Sequence, residues 1–134
     1  MSPGESMNGI EWVVEAHGCD PRRLSDLADS RELFARIIRD RDLRVVGETL
    51  WHRFPTPGGI TGLALLAESH LAIHTFPEFG SLCLNVFCCV PRAEWDFDVA
   101  CRELFGASSV TVRRLPRDYA RQDVPLAATG SRAT

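Results

Sequence analysis

The sequence predicts an α/β (α+β) domain, a two-layer sandwich with two main helices on one face of a mainly antiparallel sheet. Three observations lead there. Short runs rich in β-branched and aromatic residues recur along the chain, two segments carry apolar residues at helical spacing, and glycine and proline clusters punctuate them. At 134 residues with 45% hydrophobic content, the chain has the size of one ordinary domain. A chain of that length buries roughly two-thirds of its unfolded surface.

Ile10 to Cys19 reads as a first strand that ends at Gly18. Asp20 and Pro21 look like an N-cap with proline at the first helical position. From Ser30 to about Arg41, Leu33, Phe34, Ile37 and Ile38 form the apolar stripe of an amphipathic helix. Leu43 to Phe54 is expected as a second strand, and Pro55, Pro57, Gly58 and Gly59 as a loop. Thr61 to Phe76 follows as two short strands or one bent one, and Gly80 separates it from a strand over Ser81 to Cys89. Pro91 is expected to open a second helix running to Gly106, with Trp95, Val99, Leu104 and Phe105 facing inward. Ser108 to Leu115 closes the sheet, and residues 121–134 are expected to be a disordered tail.

Composition excludes several classes. A formal charge of -3 does not suit a nucleic-acid binder, and Arg113, Arg114 and Arg117 read as a solvated strand edge. No window approaches the ~18 consecutive apolar residues of a membrane span, and MSPGESMNGI lacks the basic and apolar regions of a signal peptide. A cytoplasmic protein with reduced thiols is the expectation, because five cysteines without regular spacing do not form a disulfide framework.

Residues 67–78 read AESHLAIHTFPE and put a glutamate, a serine and two histidines into a strand-like stretch. Alternation places His70, Ala72, His74 and Phe76 on one face and Leu71, Ile73 and Thr75 on the other. Spacing alone favours histidines satisfied by backbone carbonyls over catalytic ones. A metal site is not expected, since Cys83, Cys88 and Cys89 lack structural-zinc spacing. Ser69 lacks the GxSxG elbow of a serine hydrolase.

These same residues, AESHLAIHTFPEFG followed by NVFCC, resemble the self-processing segment of the bacterial S-adenosylmethionine decarboxylases. The resemblance runs from about Val13 to Leu115 and takes in GCD at Gly18 to Asp20 and HRF at His52 to Phe54. It also places a cysteine, Cys89, at the family's distance of twenty residues beyond the serine. It implies that Ser69 attacks the Glu68 carbonyl in an N-to-O acyl shift, after which elimination leaves a pyruvoyl group as a covalent cofactor. The chain would then become residues 1–68 and a second piece beginning at former Ser69. His74 matches the family's base, Thr61 an oxyanion donor, and Cys89 a residue that assists processing and later reprotonates the product. Phe54 and Glu78 match the residues for the purine and the ribose hydroxyls. A homodimer of cleaved protomers is implied, and no external cofactor or metal.

Some positions depart from the family pattern. Asn85 stands for aspartate, Phe76 for tryptophan, Thr61 for serine, and Cys88-Cys89-Val90 for threonine-cysteine-glycine, while the loop after Phe54 is longer by a residue. The processing set is kept better than the substrate pocket, which leaves open a pyruvoyl enzyme for arginine or ornithine, with Glu15 or Glu48 receiving the basic side chain. An uncleaved regulatory partner is a third reading. Cys19, Cys83, Cys88 and Cys101 are taken as buried structural thiols.

Overall fold

In the computed structural model, which describes residues 8–89 and 92–120, six segments whose side chains alternate between covered and open sides pair edge to edge. They are β1 (Gly9–His17), β2 (Leu50–Arg53), β3 (Ile60–Leu66), β4 (Ser69–Phe76), β5 (Ser81–Cys88) and β6 (Ser109–Arg117). The sheet order is β2-β3-β4-β5-β1-β6, and every neighbouring pair is antiparallel. Three helices, α1 (Pro21–Leu24), α2 (Leu27–Asp40) and α3 (Phe97–Phe105), supply the second layer.

Period-two patterning decides which side of the sheet is covered. Val14, Leu71, Ile73, Leu82 and Leu84 point toward the helices and are buried. Leu33, Phe34 and Ile37 of α2 and Phe97, Ala100, Cys101 and Phe105 of α3 meet them in one core. Each fully buried Leu or Ile contributes roughly 1.5–3 kcal/mol relative to exposure. The opposite side of the sheet has no helix over it, and Leu63, Leu65 and Leu115 stand exposed there.

The helix starts are written in single residues. Asp20 accepts from the Arg22 amide with Pro21 at the first position of α1, Asp26 caps α2, and Asp96 accepts from the Val99 amide to cap α3. Gly106 ends α3 in the left-handed region at φ 68, where a side chain would be strained. Thr75 is buried yet satisfied: its Oγ1 accepts from the Ile60 amide at 2.8 Å and donates to the Leu24 carbonyl at 2.8 Å, tying α1 to β3 and β4.

Four expectations need correction. The second strand is only Leu50–Arg53, joined upstream by a lone bridge from Val45 to Leu66, because Gly47 at φ 74 turns the chain between them. The last helix begins at Phe97 and not at Pro91, which lies outside the described residues. Its cap at Asp96 sets the buried face to Phe97, Ala100, Cys101, Leu104 and Phe105, so Val99 faces solvent, and Trp95 packs from the preceding loop. Asp20 and Pro21 open a one-turn helix as expected, but α2 starts at Leu27, earlier than expected. Finally, Cys83 is exposed, since β5 turns it to the uncovered side. The expected disordered tail lies outside the described residues. Among those described, no helix is long and apolar enough to cross a membrane.

Candidate functional site

Leu66 pairs with Ser69, so Ala67 and Glu68 form a two-residue hairpin loop and Ser69 is the first residue of β4. The Glu68 carbonyl accepts a 2.7 Å hydrogen bond from the backbone amide of Cys89, just past β5. Ser69 points to the covered side at 8% exposure. Its Oγ donates to the Phe87 carbonyl and lies 3.6 Å from Cys88 Sγ, its cross-strand neighbour. A hydroxyl, a carbonyl on the preceding residue and an amide already hydrogen-bonded to that carbonyl therefore converge on one peptide bond. This arrangement suits nucleophilic attack on the bond, because the amide stabilises charge that develops on the carbonyl oxygen.

A second group forms at the far end of β4. Thr61 and His74 are direct partners across β3 and β4, with Thr61 Oγ1 and His74 Nδ1 3.1 Å apart. Phe54 and Glu78 belong to the same end, Phe54 in the loop after β2 and Glu78 in the short 3-10 turn Pro77–Phe79 that follows β4. Phe54 is 51% exposed, its ring edge-on to His52 at 4.5 Å. Five residues separate Ser69 from His74, which at ~3.3 Å per residue is about 16 Å. Five is also odd, so the two side chains leave opposite sides of the sheet. One chain thus joins Glu68, Ser69 and Cys89 at one end and Thr61 with His74 at the other, and does not join the two groups.

Between them, on the uncovered side, runs a polar chain that sequence reasoning missed. His70 Nε2 lies 3.0 Å from Asn85 Oδ1, Asn85 Nδ2 donates to Glu11 Oε2, and Arg117 Nη1 donates to Glu11 Oε1. Because the Asn85 amide hydrogens face Glu11, its oxygen accepts from His70, which places the His70 proton on Nε2. Phe87 stacks on His70 at 5.5 Å between centroids, and the Arg117 guanidinium lies 5.8 Å from the Phe87 ring centre. The network also accounts for asparagine at position 85. An aspartate there would set a second carboxylate against Glu11.

Cys88 was the other omission. Its contact with Ser69 was concealed in the hairpin register, whereas Glu11 and Arg117 become neighbours of β5 only once the strand order is known. The remaining thiols differ in character. Burial pushes Cys101 up to about 12, with Cys19 and Asp98 adding to the effect. Cys19 is raised by burial alone, and the exposed Cys83 by partial desolvation of its thiol and then by Glu15. Among the described residues, no group of three or more His, Cys, Asp or Glu is arranged to hold a metal ion.

A family model described as S-adenosylmethionine decarboxylase matches residues 10–118. Proteins named S-adenosylmethionine decarboxylase proenzyme are similar over most of their length. That of Caldicellulosiruptor saccharolyticus is 33% identical over 123 residues, covering 89% of this chain and 95% of its own. That of Clostridium tetani is 34% identical over 125 residues, and that of Pyrococcus furiosus 34% over 116 residues, covering 86% of this chain and 82% of its own. The crystal structure of the adenosylmethionine decarboxylase from Aquifex aeolicus shares the fold, with a TM-score of 0.70 at 22% identity over 90% of this chain and 99% of that one.

Proposed function

The chain belongs to the S-adenosylmethionine decarboxylase family, and from that premise we propose that it is a self-cleaving decarboxylase of S-adenosylmethionine. It cuts its own Glu68–Ser69 bond, carries a pyruvoyl group made from Ser69, and supplies the aminopropyl donor of spermidine synthesis. The observation that carries this reading is the Cys89 amide on the Glu68 carbonyl at 2.7 Å, beside the Ser69 hydroxyl. A group generated from a serine and its preceding carbonyl needs those parts at one bond, and these residues fit it. The setting is the cytoplasm, where Cys88 and Cys89 stay reduced.

Each residue then has a task. The Cys89 amide draws charge onto the Glu68 oxygen as Ser69 Oγ attacks. In the tautomer whose Nδ1 proton is donated to Thr61 Oγ1, 3.1 Å away, His74 presents a free Nε2 as the base for the Ser69 α-proton. Within one chain His74 is about 16 Å away along β4, so the site is completed by a second copy. Thr61 and His74 of one protomer meet Glu68, Ser69 and Cys89 of the other. Exposed Leu63 and Leu65, at 47% and 59%, support packing of the uncovered sheet face against that copy. The pyruvoyl group, once formed, supplies a ketone that condenses with an amine and a sink for the electrons released as carbon dioxide leaves. Phe54 offers an exposed ring to the purine and Glu78 a carboxylate to the ribose hydroxyls. Cys89 returns a proton to the substrate carbon. A basic amino acid is a poorer match, because Glu15 is already paired with Arg113 and Glu48 lies exposed before β2.

Intact mass under denaturing conditions tests the cleavage. The 14.9 kDa chain should convert to two pieces split after residue 68, and Ser69→Ala should stay whole. A single species stable on incubation overturns the reading in favour of an uncleaved partner. Carbon dioxide release should occur from S-adenosylmethionine; release from arginine or ornithine alone overturns the substrate.

A further inference from the structure

The β3–β4 hairpin borders a cavity of about 210 Å3 whose polar lining is Asp42, Arg44, Glu68 and Arg92. At ~30 Å3 per water, that is room for about seven waters, ample for a carboxylate. We propose that this cavity receives the carboxylate released when the Glu68–Ser69 junction cleaves, with Arg44 and Arg92 stabilising it as the leaving group. The inference rests on the cleavage proposed above and deepens it.

The chemistry fixes what must be received. In the acyl shift, Ser69 Oγ bonds to the Glu68 carbonyl carbon, its hydroxyl proton passes to the Ser69 nitrogen, the peptide C–N bond breaks, and the Ser69 amine is freed. In the elimination the Ser69 α-proton goes to the base and its electron pair forms the Cα=Cβ double bond. The Cβ–Oγ bond then breaks, and Oγ leaves with Glu68 as a carboxylate. Water later replaces the amine as ammonia, completing the new terminus. The leaving group of the elimination is therefore the α-carboxylate of Glu68, a residue that lines this cavity.

Three observations point there. Arg92 Nε is buried with no hydrogen-bond partner among the described residues. A carboxylate offers such a donor charged acceptor oxygens, and charge-assisted bonds of this kind are the strong ones. The second observation is charge balance. Arg44 and Arg92 line the cavity together with Asp42 and Glu68, so the negative charge that cleavage adds at Glu68 forms beside two cations. The last observation is retention. The Ala67 amide donates to the Arg44 carbonyl at 2.9 Å, the Val46 amide to the Leu65 carbonyl at 2.9 Å, and Val45 bridges to Leu66. None of these bonds involves the severed peptide, so the new chain end stays above the cavity.

The test separates the two chemical steps. Hydroxylamine cuts an ester at Glu68 whether or not elimination follows, so mass spectra with and without it report the shift and the elimination independently. Arg92→Gln and Arg44→Gln should keep the hydroxylamine-sensitive shift while slowing spontaneous elimination about tenfold each, with ester accumulating. Arg92→Lys should restore most of the rate. Elimination at the parent rate in both Gln variants, as expected if the arginines only solvate the Glu68 side chain, overturns the inference. If Arg92→Gln fails to fold, Arg44→Gln and Arg92→Lys decide alone. A parent chain that forms no ester and never cleaves defeats the function itself and this inference with it, an outcome distinct from normal cleavage in every variant.

Discussion

The two ends of β4 are built from different materials. At the Ser69 end the decisive contacts are main-chain ones, an amide on the Glu68 carbonyl and a carbonyl accepting from Ser69 Oγ, all in a hairpin packed against the covered core. At the His74 end they are side chains, a threonine and an imidazole paired on the uncovered side and flanked by an exposed Phe54. Bond breaking needs atoms held without play, which the sheet provides. Proton transfer and substrate exchange need groups that reach away from the sheet. On the function proposed above, the contrast divides the work between two chains.

Mixing variants is the strongest way to break this comparison. His74→Ala alone should slow processing by roughly 10²–10⁴-fold, the usual contribution of a general base, and Ser69→Ala should not cleave at all. If the halves meet across a dimer, co-expressed variants restore cleavage of the His74→Ala chain only, seen by mass. Restoration of neither chain would return both groups to a single chain. Next in size is the strand that joins the ends. Leu71 is fully buried midway along β4, and Leu71→Ala should cost about 2–5 kcal/mol in urea unfolding. A loss below about 1 kcal/mol would show that the ends do not depend on a common rigid support. Thr61→Val removes the bond to His74 Nδ1 and should slow elimination about tenfold. Ester accumulation would locate Thr61 beside the base, and a slower shift would make it an oxyanion donor instead.

The smallest effect serves as a control outside both ends. Cys101 is held up from an ordinary value of 9.0 to about 12 by burial. A raised folded value favours the protonated thiol, so this contribution is complete below about pH 9 and shrinks as pH climbs toward 12. Cys101→Ala should lower stability at neutral pH yet flatten the alkaline loss, measured as urea midpoints from about pH 8 to pH 11. An unchanged alkaline slope would refute it.

Much of this was readable from the chain because local rules act alone in the right places. Asp20 with Pro21, the α2 stripe and the alternation through His70 to Phe76 each depend on neighbours a few residues away, and each is found. What failed depended on competition between signals. Pro91 looked like a helix start, but Asp96 offers a side-chain cap to the Val99 amide and wins. The run from Leu43 looked extended, but Gly47 interrupts it. At the site, residue types were readable and partnerships were not. Ser69 meets Cys88 through register, and Glu11 meets Asn85 and Arg117 through a strand order in which β1 lies between β5 and β6.

The amide of Cys89 on the Glu68 carbonyl has a consequence for how such a site can change. Every residue except proline carries that donor, so the side chains around it can be exchanged without touching it. What a lineage must preserve here is an alignment of two strands. A one-residue insertion in the hairpin would shift that amide off the carbonyl more surely than a substitution at Cys88 or Cys89.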